Sequence, residues 1–236
     1  TDPQKVLDET MKNEEILSRT DTIIQAFDEV IKYGALYSLG SEYTNKDIPK
    51  EKYMEVILKG ILALYLLERI QFMSSFAVVF GLAERDRFKG IADLVKLISK
   101  DELLHSTMMS TLINILRDFD DWNEVYESLI PEFEVMLQEV IDREFQWNKY
   151  LFSEGRTMVG LNTELLNEWV LYCAMDFCRQ INFKYPYKKI STNPIPWVDN
   201  WIELDKVQNA NQEADNINYR VNAMDNDLDD DEIFDI

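Results

Sequence analysis

The chain has 236 residues, of which 46% are hydrophobic and 29% are charged. This composition is typical of a globular protein and excludes a wholly disordered chain. The 24 basic and 44 acidic residues give a net charge of −20, which argues against binding to the phosphate backbone of nucleic acids. The longest apolar stretch, residues 61–82, is interrupted by Glu68 and Arg69. No segment of this sequence therefore resembles a membrane-spanning helix.

The chain contains two cysteines, Cys173 and Cys178. They lie five residues apart on an apolar stretch, where two buried free thiols are the expected arrangement. Two cysteines cannot form a disulfide framework, so we expect a reducing compartment, the cytoplasm.

Apolar residues recur at helical spacing through most of the chain. The predicted helices are 13–39, 50–80, 84–116 with an interruption near Gly90, 122–152 with Pro131 inside it, and one that begins at Asn162 and ends before Tyr185. No strand-like alternation of useful length is present, and glycine and proline are few. Long helices joined by short loops predict an all-α helical bundle.

The composition changes after the 193–197 segment (NPIPW). Residues 207–236 contain nine acidic residues and one basic residue, so this part is not expected to fold alone. The chain nevertheless ends with apolar Ile233, Phe234 and Ile236. Either the end is a frayed terminus, or these three residues form a peptide that docks on a partner.

The single histidine, His105, lies three residues after Glu102 on a strongly helical stretch. At this spacing both side chains project from the same helix face. Glu-x-x-His presents a carboxylate and an imidazole to one metal ion in helical bundles, although four residues can also occur by chance as an ordinary polar pair.

Glu68 lies within an otherwise apolar helix, where a carboxylate is unfavourable unless it is paired or binds a metal. Its neighbour Arg69 points about 100° away around the helix, so it is a poor partner, although the two could form a narrow polar face. A single Glu on one helix and Glu-x-x-His on the next form half of a di-iron carboxylate site. We therefore expect Glu68, Glu102 and His105 to converge in the bundle core. The other half comes from another chain, or the site is incomplete.

These residues lie within a longer pattern that resembles the small, radical-generating subunit of class I ribonucleotide reductase, a ferritin-like di-iron protein. The resemblance covers nearly the whole chain in order. Its matching segments are 68–72 (ERIQF), 75–77 (SFA), 82–85 (LAER), Ile98 with 100–105 (KDELLH), 150–152 (YLF), 160–162 (GLN), 193–197 (NPIPW), 209–219 and the acidic tail.

The resemblance implies a role for each side chain near the predicted site. Glu68, Glu102 and His105 would be ligands of one metal in a di-iron centre, with manganese as a possible alternative to iron. Apolar residues would shield a radical from water, and Asp101 would orient a metal-bound histidine and take part in long-range radical transfer. The shielding residues are Phe72, Phe76 and Ile98.

The resemblance also implies roles for the tail. Tyr219 would carry the radical towards the large subunit, and Glu213 lies in the same segment. Ile233, Phe234 and Ile236 would dock on that subunit.

The matching part of the family begins after its radical tyrosine, and this sequence starts with Thr1 rather than Met. We therefore expect residues 1–200 to form a ferritin-like bundle without its N-terminal helices, and residues 201–236 to form a flexible docking tail. The expected partners are the missing N-terminal half, a second small subunit in a dimer, and the large subunit. The expected function is reduction of ribonucleotides to deoxyribonucleotides. A non-catalytic helical docking module and an iron-binding ferritin-like homodimer are the alternatives.

Overall fold

A computed structural model describes residues 2–40 and 48–202, and helices make up most of this part of the chain. The helices are α1 (Pro3–Thr10), α2 (Glu14–Arg19), α3 (Asp21–Leu39), α4 (Lys50–Leu66), α5 (Phe72–Ala83), α6 (Lys89–Leu116), α7 (Asp120–Leu151), α8 (Thr163–Gln180) and α9 (Asp199–Ile202). A π-helical turn, Leu67–Gln71, joins α4 to α5, and a 3₁₀ turn, Pro196–Val198, precedes α9. No β-strand occurs within the described ranges, which confirms the predicted all-α class.

Capping residues fix several helix ends where the sequence predicts them. The Asn162 side chain accepts a hydrogen bond from the Leu165 backbone N–H at 2.8 Å, and α8 begins one residue later. Gly40 ends α3 with a φ of +75°, a conformation that suits glycine. The predicted 13–39 helix is instead two helices, because the chain breaks at Thr20 between α2 and α3.

The predicted 50–80 helix is one helical segment that includes the π turn and extends to Ala83. The following residues form a turn in which Asp86 and Phe88 have positive φ values of 57° and 55°. The helix α6 starts at Lys89, so the interruption predicted near Gly90 lies just before that residue.

Two clusters of buried apolar side chains hold the helices together. One lies among α4, α7 and α8 and includes Tyr65, Phe133 and Phe177. The other joins α5 and α8 to the residues before α9 and includes Phe80 and Trp169. Burial of such side chains contributes roughly 1.5–3 kcal/mol each.

Both cysteines are free and fully buried in this core, as predicted. Among the helices of residues 2–40 and 48–202, none is long and apolar enough to cross a membrane.

Candidate metal centre

The π turn between α4 and α5 carries Glu68. A π turn inserts one extra residue into a helix and is often found at functional sites. The helix α6 packs alongside this turn, so its Glu102 and His105 face Glu68.

The three predicted ligands lie together. The His105 Nδ1 is 3.3 Å from Glu102 Oε2 and 3.5 Å from Glu68 Oε1. One candidate ligand atom from each residue lies within 4.8 Å of the other two. One helical turn brings Glu102 beside His105, whereas Glu68 reaches them only through the packing of two helices.

Glu68 is only 5% exposed, and this burial changes the pKa of its carboxyl group. Burial, followed by the negative charge of Glu102, raises the Glu68 pKa to about 7, and His105 opposes this shift. The buried Oε2 of Glu68 has no hydrogen-bond partner within the described residues. An unpaired buried carboxylate oxygen is unfavourable, and a cation would satisfy it.

The donor set fits a first-row transition metal. Two carboxylates and one imidazole suit iron, and carboxylates also suit manganese. The residues present therefore fit the metal that the family resemblance implies.

The cluster extends from the interior of the described part to its surface. Glu68 is buried, whereas the His105 side chain is 50% exposed. Apolar side chains on α6 are exposed on both sides of this histidine. We call this set the α6 face: Ile91, Leu94, Leu97, Ile98, Leu104, Met108 and Ile115.

The predicted shielding residues lie near Glu68 and Glu102. Phe72 and Phe76 follow on α5, with ring centroids 5.8 Å apart, and Phe76 is buried. Ile98 lies one turn before Glu102 on α6 and is half exposed.

The other predicted site residues do not join this cluster. Asp101 is exposed and makes no hydrogen bond to His105 in the described structure. Tyr219, Glu213, Ile233, Phe234 and Ile236 lie outside the described residues.

A buried ion pair behind the π turn was not predicted from the sequence. Arg19 of α2 binds both oxygens of Glu144, which is fully buried on α7. The Arg19 guanidinium also donates to Ser75 Oγ at 3.1 Å and lies over the Trp147 ring at 4.8 Å. Glu144 interrupts the apolar stripe of its helix, which is the same signal that identified Glu68.

Family comparison agrees with this geometry. Residues 1–194 match the family model described as "Ribonucleotide reductase, small chain". The chain belongs to this family. The resemblance and the ferritin-like fold predicted from the sequence are thereby confirmed.

Two curated relatives and one solved structure illustrate the similarity. The chain is 34% identical over 237 residues to the ribonucleoside-diphosphate reductase subunit beta of Haemophilus influenzae, covering 97% of this chain and 62% of the relative. It is 31% identical over 246 residues to ribonucleoside-diphosphate reductase 1 subunit beta of Salmonella typhimurium, covering 98% of this chain and 64% of the relative. The ribonucleotide reductase R2 subunit from Clostridium botulinum superposes with a TM-score of 0.68 at 26% identity, covering 86% of this chain and 59% of that structure. The chain thus spans less than two thirds of the length of these relatives.

Proposed function

We propose that this chain acts as the C-terminal part of the radical-generating subunit of a ribonucleoside-diphosphate reductase. The observation that carries this proposal is the convergence of Glu68, Glu102 and His105 at a π turn, in a chain of the small-subunit family. In this role the chain supports the reduction of ribonucleotides to deoxyribonucleotides on a large subunit.

The three side chains would supply half of the ligands of a two-metal centre, with iron as the proposed metal and manganese compatible with the same donors. When bound, this centre supplies the one-electron oxidation that creates a protein radical. The Glu68 and Glu102 carboxylates would bind through oxygen, and His105 would bind as a neutral imidazole through Nδ1. Their positions on two packed helices hold these donor atoms in one place.

The neighbouring side chains would shield the metal centre from water and connect it to the radical-transfer route towards the tail. Phe72, Phe76 and Ile98 would exclude water, because apolar side chains leave no hydrogen-bonding path to the radical. Asp101 would orient a metal-bound histidine and take part in radical transfer towards the tail, where Glu213 and Tyr219 would continue the transfer.

Residues outside this sequence would complete the metal centre, whether they belong to the same polypeptide or to another chain. The half-exposed His105 and the α6 face support this part of the proposal, since an apolar surface around an incomplete site suits a covering helix. A dimer of small subunits and docking of Ile233, Phe234 and Ile236 on the large subunit complete the proposed assembly. The two free cysteines support a cytoplasmic location.

Reconstitution tests the proposal. The chain would be mixed in air with ferrous iron, dithiothreitol as the reductant, an N-terminal small-subunit segment taken from the Haemophilus influenzae relative, and a ribonucleotide reductase large subunit. We expect cytidine diphosphate reduction only in the complete mixture, with loss of turnover in Glu102→Gln. Asp93→Asn, an exposed acid on the same helix, is the matched control and should keep turnover.

The alternatives give different results in the same preparation. If the protein is an iron-binding homodimer, the chain alone should dimerise only when iron is present, and Glu102→Gln should abolish dimerisation. A non-catalytic docking module requires large-subunit binding with no effect of Glu102→Gln on iron content. Either result would contradict the reductase proposal.

A further inference from the structure

A cavity of about 430 Å³ lies along α8 and is lined by none of the three proposed metal ligands. Its volume falls within the roughly 300–1,000 Å³ range of small-molecule sites. The polar residues in its lining include Arg69, Asp176, Arg179 and Lys189.

This lining is cationic although the chain as a whole carries a charge of −20. Asp176 accepts hydrogen bonds from Arg69 Nε at 3.1 Å and Nη2 at 2.7 Å, and it also pairs with Arg179. One carboxylate against Arg69, Arg179 and Lys189 leaves an excess of two positive charges. That excess matches a phosphate dianion better than a carboxylate.

Arg69 contributes charge to this cavity more than free donors. Its side chain is 13% exposed, its Nε and Nη2 are bonded to Asp176, and its Nη1 is buried away from the cavity surface. The donors that can reach a ligand are therefore those of Arg179 and Lys189, whose positive charges Asp176 only partly offsets. Planar guanidinium groups bind phosphate oxygens well.

Aromatic side chains form the apolar part of the lining. Tyr172, Phe183 and Tyr185 contribute to it, and the Tyr185 hydroxyl is already bonded to the Leu171 carbonyl at 3.1 Å. That bond orients the Tyr185 ring. Rings of this kind favour the flat faces of aromatic ligands.

We propose that this cavity binds a small aromatic molecule that carries a phosphate group, of about the size of a nucleoside monophosphate. Arg179 and Lys189 bind the phosphate, Arg69 adds its positive charge behind Asp176, and the aromatic side chains contact the ring. This site is separate from the metal centre and goes beyond the reductase role.

Calorimetry with the full chain at low ionic strength tests the site with three probes: adenosine monophosphate, adenosine and inorganic phosphate. We expect the monophosphate to bind at least about tenfold more tightly than either part alone, because charge-assisted hydrogen bonds and ring contacts then act together. Lys189→Gln should weaken its binding about threefold to fivefold. Lys188→Gln, an exposed neighbour outside the lining, should leave the affinity unchanged.

Three results would overturn the proposal. The first is that the monophosphate does not bind measurably, and the second is that adenosine binds as tightly as the monophosphate. The third is that Lys188→Gln and Lys189→Gln weaken monophosphate binding equally. Glu102→Gln should keep the monophosphate affinity whether or not it loses iron. The proposal of a phosphate site can therefore be contradicted without contradicting the proposal of a metal centre, and the reverse.

Discussion

Arg19 and Gln71 are joined by two reciprocal hydrogen bonds. The Arg19 Nη2 donates to the Gln71 carbonyl, and the Gln71 Nε2 donates to the Arg19 carbonyl. Gln71 is the last residue of the π turn that carries Glu68. The helix α2 therefore braces the turn that places Glu68 beside His105.

Replacing Arg19 should destabilise the fold strongly. In Arg19→Met the buried Glu144 loses its charge partner and the π turn loses its brace, so the free energy of unfolding should fall by about 3–5 kcal/mol. Urea denaturation measures this change.

Two further variants separate the buried ion pair from general effects of the substitution. Arg143→Met removes a partly exposed pair with Asp21, and it should lower stability by less than about 1 kcal/mol. The double variant Arg19→Met/Glu144→Met should recover much of the loss, because no unpaired charge remains buried. A double variant less stable than Arg19→Met would contradict this account of the pair.

Gly60 permits the close approach of α3 to α4. A Cβ atom at this position would lie 2.6 Å from Val30 Cγ2, and β-branched valine has little freedom to move away. Glycine to alanine in a helix interior normally stabilises by about 1 kcal/mol, but overpacking costs about 1–3 kcal/mol. Gly60→Ala should therefore lower the melting temperature.

Gly34 gives the matched comparison for Gly60. It lies inside α3 with nothing within 4 Å of its added Cβ, so Gly34→Ala should raise the melting temperature. Val30→Ala should relieve the effect of Gly60→Ala. If Gly34→Ala and Gly60→Ala shift the melting temperature equally, close packing at Gly60 is not the cause.

The α6 face should matter for assembly and little for the stability of the chain itself. Leu104→Ser and Met108→Ser remove exposed apolar groups, and each should change the free energy of unfolding by less than about 0.5 kcal/mol. Both should weaken association with the complementing N-terminal segment in analytical ultracentrifugation. Val135→Ser, at an equally exposed position on α7, should not weaken it.

The tail residues give a prediction that rests on the sequence and the family. Phe234→Ala should weaken binding to the large subunit by roughly tenfold or more, because an aromatic anchor of about 1.5–3 kcal/mol is removed. Tyr219→Phe should bind normally but lose turnover, since phenylalanine cannot carry a phenoxyl radical. Normal binding by Phe234→Ala, or normal turnover by Tyr219→Phe, would exclude these roles.

Sequence periodicity predicted the helices well because apolar spacing and end residues such as Gly40 and Asn162 act locally. It did not predict the break at Thr20, since threonine is not a strong helix breaker. The π turn was also missed, because its residues are compatible with an ordinary helix and the contact with Arg19 spans 52 positions.

The parts of the candidate site that depend on the spacing of residues within one helix could be predicted from the sequence. Spacing alone places Glu102 beside His105, and a carboxylate in an apolar helix marks Glu68. The exposure of His105 could not be predicted from the sequence, because it depends on which helices cover α6. The pairing of Arg69 with Asp176 likewise joins residues 107 positions apart.

Anomalous X-ray diffraction at the iron edge tests the central claim most directly, using crystals of the chain in complex with the complementing N-terminal segment, soaked anaerobically in ferrous iron. The account predicts an iron peak about 2.0–2.3 Å from His105 Nδ1 and from carboxylate oxygens of Glu68 and Glu102, as is usual for divalent first-row metals. The peak should be absent from His105→Ala crystals and present in Asp93→Asn crystals. No peak at these residues in the unmodified chain, or an undiminished peak in His105→Ala, would contradict the account.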